Sequence, residues 1–243
     1  MEVIAHCKVY PLSTFYRPAQ VSINWIARDN FGNVVEGGES GDGNVGVGDV
    51  GFVHLIEHDF KISEFKGRMA LRLVEQLPSQ ASILIVDVVA SWRKWLDAHA
   101  HVRARAHYLT SPSLARFETL IAFLNQLNET PADALRRCTV QQPLDMQLGA
   151  IIIDNISYYV HDSATYEILL KTLRRLRQNY GCIVLTTGYG LEFYDGVENS
   201  QRQPNQTLDI ATRLPMSYVK NMDCVLVRDT ATTARVVFSH TER

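Results

Sequence analysis

The chain reads as an α/β protein with a mostly parallel, twisted sheet, helices on its flanks and an antiparallel edge at the C-terminal end. Three observations predict this. First, "SILIVDVV", "GAIIIDNISYY" and "CIVLTTG" are short, continuous, β-branched apolar runs, the pattern of strands buried on both faces. Second, stretches with helical spacing alternate with these runs, which implies parallel strands joined by helical crossovers. Third, "DCVLVRD" and "ARVVFSH" stand close together near the end of the chain, separated by "TATT", as in a hairpin.

Taken in order, "GFVHLIEHDF" is the first strand. "FKGRMALRLVEQL" follows as a helix, with Met69, Leu71, Leu73, Val74 and Leu77 at helical spacing and Pro78 as the stop. "LARFETLIAFLNQL" repeats Phe117, Leu120, Ile121, Leu124 and Leu127, with Ser113 as the expected cap. "TPADALRR" opens another helix, with Thr130 capping and Pro131 at the first helical position. "ATYEILLKTLRRLRQNYG" is amphipathic, and Gly181 suits its C-terminus. A polar segment, Leu191 to Asn221, precedes the closing strands. The whole chain, 1–243, is expected to form a single domain.

The chain has 243 residues, of which 46% are hydrophobic, enough for a core that needs no disulfide or metal. Its formal net charge of −2 supplies no global attraction for nucleic acid, so a nucleic-acid site must be a local patch. Cys7, Cys138, Cys182 and Cys224 form no C-x-x-C, and they read as small buried hydrophobes in a reducing compartment. Apolar runs fall short of the roughly 20 residues a membrane span requires, and the N-terminus does not read as a leader.

Residues 32–50 form a glycine-rich stretch, read as a flexible insertion. It contains two overlapping matches to G-x-G-x-x-G, Gly41-Gly43-Gly46 and Gly46-Gly48-Gly51. A phosphate cradle needs a strand before it, a helix after it and positive charge or aligned N–H groups. Here Glu36, Glu39, Asp42 and Asp49 would repel a pyrophosphate, a strand follows instead of a helix, and Gly-Lys-Ser/Thr occurs nowhere in the chain. No cofactor is predicted.

Two apolar runs end in aspartate, "ILIVD" at Asp87 and "IIID" at Asp154. An Asp at the carboxyl end of a parallel strand either lies at a functional edge, where it can help hold Mg²⁺, or caps the following loop through backbone N–H groups. The order Asp154, short loop, helix, strand "CIVLTTG", long polar loop resembles the recombinase core of the RecA family. By that resemblance the DNA-binding loops are about Val160 to Thr165 and Tyr189 to Lys220.

Six blocks, "YPLSTF", "GFVHLIEHDF", "PADALRRC", "IIIDNISY", "EFYDGVEN" and "LPMSYVKNMD", together resemble the platinum-sensitivity subunits of the fungal Shu complex, a family of recombinase paralogues. The resemblance runs from residue 1 to about 228 and omits the glycine-rich stretch. It implies a RecA-like core and a DNA-binding role, without ATP, in recombinase filament assembly during homologous recombination and error-free repair. It also implies a nuclear location. The implied partners are a second recombinase-like (Csm) subunit, as a heterodimer within a four-protein Shu complex, the recombinase filament, and single-stranded or forked DNA. The chain departs from active recombinases. Asp87 is followed by Val88 and Val89, where the catalytic glutamate would stand at the second position. Lys61, Lys66 and Arg68 lie near the place of the phosphate-loop lysine without that loop's glycines or Ser/Thr. A pseudo-ATPase with no catalytic residues is expected.

For DNA, the second loop offers Arg202, Arg213 and Lys220, and "VHDSAT" in the first offers no Lys or Arg. Tyr189, Phe193 and Tyr194, at the start of the second loop, are aromatics that can stack on bases, with buried packing as the competing role for Phe193. Elsewhere, "HAHVRARAH", read as a strand, would align His99, His101, Arg103, Arg105 and His107 on one face, as a phosphate track or a partner stripe. Lys171, Arg174, Arg175 and Arg177 cluster toward a helix C-terminus, where they complement the dipole or contact DNA. The alternative is a structural scaffold whose partner makes the DNA contacts.

Overall fold

The computed structural model describes residues 50–57, 62–143, 146–159, 163–190, 214–228 and 234–239. The strands are β1 (Phe52–Glu57), β2 (Ala81–Asp87), β3 (Ala106–Thr110), β4 (Gln147–Asp154), β5 (Ile183–Tyr189), β6 (Cys224–Arg228) and β7 (Ala234–Ser239). They form a 7-stranded sheet in the order β3-β2-β4-β5-β1-β6-β7. All neighbours are parallel except β6 and β7, which pair antiparallel at the edge as the sequence predicts.

Strand residues alternate between two cores because successive side chains point to opposite faces. Ile83 and Ile85 of β2 join Val53, Leu55 and Ile152 on one face, against Met69, Leu73 and Val74 of α1 (Glu64–Gln76) and Leu96 of α2 (Arg93–Ala98). Leu84 and Val86 join Ile151 and Ile153 on the other, against Leu120, Phe123 and Leu124 of α4 (Phe117–Glu129) and Leu169 and Leu173 of α6 (Ser163–Tyr180). The sheet is thus covered on both sides, which is why its strands read as unbroken apolar runs.

Helix boundaries follow local chemistry. The Ser63 hydroxyl accepts from the Lys66 N–H at 3.0 Å and starts α1. Gly67 lets α1 approach α2 closely, since a Cβ there would lie 2.6 Å from Trp95 Nε1. Pro131 occupies the first turn of α5 (Pro131–Leu135). Gly181 follows α6 with φ 62° and donates to the Arg177 carbonyl at 2.8 Å, the expected left-handed stop. Two expected caps differ. Ser113 lies inside a 3₁₀ turn, Pro112–Ala115, and α4 begins after Arg116 without a side-chain cap. The Thr130 hydroxyl turns back to the Gln126 carbonyl at 3.4 Å and does not cap α5.

The largest correction concerns "HAHVRARAH". It is not a strand. Ala100–Arg103 is a short helix, α3, Arg105 lies in a turn, and β3 begins only at Ala106. The alternation of basic and small residues suggests a strand, but the stretch opens with a short helix that turns Val102 to the core, beside Trp92 at the N-cap of the preceding α2 and Leu96 within it. Within the polar segment expected from Leu191 to Asn221, α7 (Met216–Val219) forms a short helix that buries Tyr218 and Val219. Residues 1–49, with nearly all of the glycine-rich stretch, and residues 191–213 lie outside the described residues.

Candidate functional site

Strands β2 and β4 run side by side in a register that pairs Asp87 with Asp154 at their carboxyl ends. Both carboxylates are buried; the chain supplies donors to both oxygens of Asp154 and to Oδ2 of Asp87, while Asp87 Oδ1 has no hydrogen-bond partner among the described residues. Asp154 Oδ2 accepts from Lys66 Nζ at 2.9 Å, from Trp92 Nε1 at 2.7 Å and from Ser91 Oγ at 3.0 Å. Asp154 Oδ1 accepts from the Thr187 hydroxyl on β5. Three donors thus converge on Oδ2 and one reaches Oδ1. Asp87 Oδ2 accepts from the Trp92 backbone N–H and the Tyr108 hydroxyl, each at 2.8 Å, while burial pushes its carboxyl up. Trp92 therefore bridges the two strand ends, its backbone on one aspartate and its indole on the other. For Asp87, the loop-capping reading is the one realised.

Lys66 explains why this edge is closed. It stands in the first turn of α1, after β1, where a strand–loop–helix phosphate site would present its lysine. Its side chain is 0% exposed, turned onto Asp154, with the ammonium 5.6 Å from the centre of the Trp92 ring. Beside it, Glu57 ends β1, accepts from the Ser63 hydroxyl at 2.7 Å and pairs with Arg228 of β6 at 2.5 Å. Desolvation raises the Glu57 carboxyl, against the pull of Lys66, Ser63 and Arg228. Lys66 was a candidate in the sequence. Trp92, Ser91 and Thr187 carried no signal there, because their roles depend on three separate strand ends meeting.

Further down the sheet, His54 is fully buried on β1. Its Nδ1 lies 2.9 Å from the Thr186 hydroxyl, which in turn meets the Tyr218 hydroxyl at 3.1 Å. Burial lowers its pKa to about 3. Cys138, Cys182 and Cys224 are free and buried, as read from the sequence, and burial pushes each thiol up to about 12. Among the described residues no three His, Cys, Asp or Glu side chains are placed to hold a metal ion.

Of the predicted DNA residues, Lys220, Arg103 and Arg105 lie among the described residues. Arg202 and Arg213 lie outside the described residues, as do Phe193 and Tyr194. Tyr189 is only 1% exposed and packs in the sheet, so it presents no face to a base. Lys220 is exposed at the end of α7. Arg103 is exposed and pairs with Asp97 at 2.8 Å. Arg105 is a correction. Its guanidinium donates to the carbonyls of Val74 (2.7 Å), Leu77 (3.3 Å), Pro78 (2.5 Å) and Ala81 (2.9 and 3.0 Å). These include orphan carbonyls at the end of α1, so Arg105 clasps a helix C-terminus to the start of β2. His107 is buried on β3, and His99 stacks on Trp95 at 4.1 Å, so the five basic groups share no face. Of the four cations on α6, only Arg177 lies in the last turn. It sits over the Phe52 ring at 5.4 Å and 3.9 Å from Asp223.

Comparison with known proteins gives the family of the chain. The chain is 34% identical over 249 residues to Platinum sensitivity protein 3 of Saccharomyces cerevisiae (strain ATCC 204508 / S288c), covering 94% of this chain and 93% of that protein. Among solved structures, the RadB recombinase aligns over 73% of this chain and 74% of its own, with a TM-score of 0.44 and 14% identity. The family described as "Shu complex component Psy3, DNA-binding description" matches residues 7–231, and with most of its length so matched the chain belongs to the Psy3 family of Shu complex components.

Proposed function

We propose that this chain is a non-catalytic, RecA-like DNA-binding subunit of a Shu-type complex, promoting recombinase filament assembly in homologous recombination and error-free repair. The observation that carries the non-catalytic part is the Lys66–Asp154 pair. The lysine placed to meet a phosphate is buried against the aspartate placed to hold a metal, and Trp92 donates its indole N–H to the same carboxylate oxygen. Such an edge supports neither nucleotide binding nor hydrolysis. The DNA-binding part is supported by membership of a family with that description. In this reading the chain is a single domain in which residues 32–50 are a dispensable insertion. It works in the nucleus, as a heterodimer with a second recombinase-like (Csm) subunit of a four-protein assembly.

The proposed DNA contacts are Arg202, Arg213 and Lys220, with Arg103 as a peripheral cation. Arg105 is spent on the α1 clasp and is left out. A second reading, a scaffold whose partner makes the DNA contacts, is favoured by that reassignment, which removes one of five proposed cations. Salt titration of DNA binding separates the two. Each neutralised phosphate contributes about 0.7 to 0.9 to the slope of log K against log salt. Arg202→Gln with Arg213→Gln is expected to flatten the slope of the heterodimer by roughly 1.4 on single-stranded DNA. An unchanged slope would favour the scaffold.

A further inference from the structure

Helices α6 and α7 border a groove of about 360 Å³ that none of the loop residues accounts for. We propose that this groove carries the phosphates of single-stranded DNA beyond the second loop, with Lys171 and Arg174 as the phosphate contacts. The inference rests on the DNA-binding reading above and gives it a second track.

Position comes first. Ser163 at one end of the groove follows residues 160–162, and Ser217 across from it follows residues 191–213, so the groove begins where both candidate loops rejoin the described fold. Shape comes second. Tyr166 and Tyr218 are buried, meet edge to face with ring centroids 5.2 Å apart and form a firm floor, which keeps the groove open between the helices.

Charge comes third. Lys171, Arg174 and Arg175 are exposed. Among the described residues Lys171 pairs with Glu167 alone, at 2.7 Å, with the two side chains 69% and 63% exposed, a pair of little net stability that a phosphate can displace. Arg174 donates to the neutral Asn221 side chain at 2.5 Å, and no carboxylate among the described residues lies within ion-pair distance. Asn221 thus holds the guanidinium over the groove without cancelling its charge. Arg174 also stands more than a turn before the end of α6, so dipole compensation does not explain it. Glu167 is the sole carboxylate among the lining residues, and its removal gives a test of sign.

The experiment is a salt titration of labelled single-stranded DNA by fluorescence anisotropy, on the chain alone and in its heterodimer. Lys171→Gln with Arg174→Gln is expected to lower the slope by roughly 1.4 and to weaken binding about tenfold at low salt. Glu167→Gln is expected to tighten binding. All three side chains are exposed, so thermal unfolding should not shift and serves as the folding control. An unchanged slope in the double variant, with Arg202→Gln/Arg213→Gln still flattening it, overturns the groove and leaves the loop reading standing. An unchanged slope with loss of heterodimer makes the groove a protein interface and equally overturns the proposal. If the wild-type protein and heterodimer bind no DNA, both readings fall together.

Discussion

Lys66 and Asp154 are the residues on which the functional reading turns. Removing one partner of a buried ion pair leaves an uncompensated charge and costs about 3–5 kcal/mol. Lys66→Met is therefore expected to destabilise the fold by about that amount, read as a lower urea midpoint. A variant that unfolds like the wild type would mean that the lysine is not structural. His54 makes the stability pH-dependent. Its folded pKa is lowered to about 3, while the unfolded imidazole titrates near the ordinary 6.5. Between those values the unfolded chain binds more protons, so stability is full above about pH 6.5 and falls as pH drops toward 3, by a few kcal/mol in all. Glu57 and Asp87, both raised, act with opposite sign: their contribution is present at low pH and is lost as pH rises through their folded values. His54→Gln should flatten the loss between pH 7 and pH 5, and urea midpoints at those two pH values check it. The same steep loss in the variant would assign the effect to other groups.

At the scale of elements, Arg105 and Arg103 separate packing from surface charge. Arg105→Ala strips the α1 carbonyls and the start of β2 of their donor and is expected to cost about 1–3 kcal/mol, whereas Arg103→Ala breaks only an exposed pair and should cost under about 1 kcal/mol. Thermal unfolding of the two variants checks this, and equal losses would contradict the clasp. What the sequence could and could not reveal follows the same division. The central strands β2, β4 and β5 were legible because burial on both faces writes itself as an apolar run, and Gly181 and Pro131 marked helix ends by conformation alone. β3 was missed because "AHYLT" is short and begins with the tail of a basic stretch. Val102 is the one apolar anchor of the short helix within the basic stretch, too little to show as a helical repeat beside the alternating His and Arg residues. The site was less legible still. Asp87 and Asp154 stood out as strand-end carboxylates, but nothing local indicates that Trp92 spans both, or that Lys66 turns inward. Those facts depend on the register of β2 against β4 and on the approach of α1.

For the whole molecule, the family assignment stands beside a parallel sheet whose carboxyl edge, at Asp87 and Asp154, serves packing. The glycine-rich stretch enters through Val50, which is buried, and β1 starts immediately after it. Deleting residues 36–48 is expected to leave the thermal midpoint and heterodimer affinity unchanged, as measured by calorimetry and by gel filtration with the partner. Loss of either would make the stretch part of the fold or of the interface. The measurement that tests the account most directly is the anisotropy of labelled single-stranded DNA titrated with the heterodimer, with and without ATP and Mg²⁺. A salt-dependent isotherm that is identical in the two conditions, with no phosphate released, is the expected result. An affinity that changes with nucleotide, or measurable hydrolysis, would show that the edge closed by Lys66, Trp92 and Asp154 opens to a phosphate, and would contradict it.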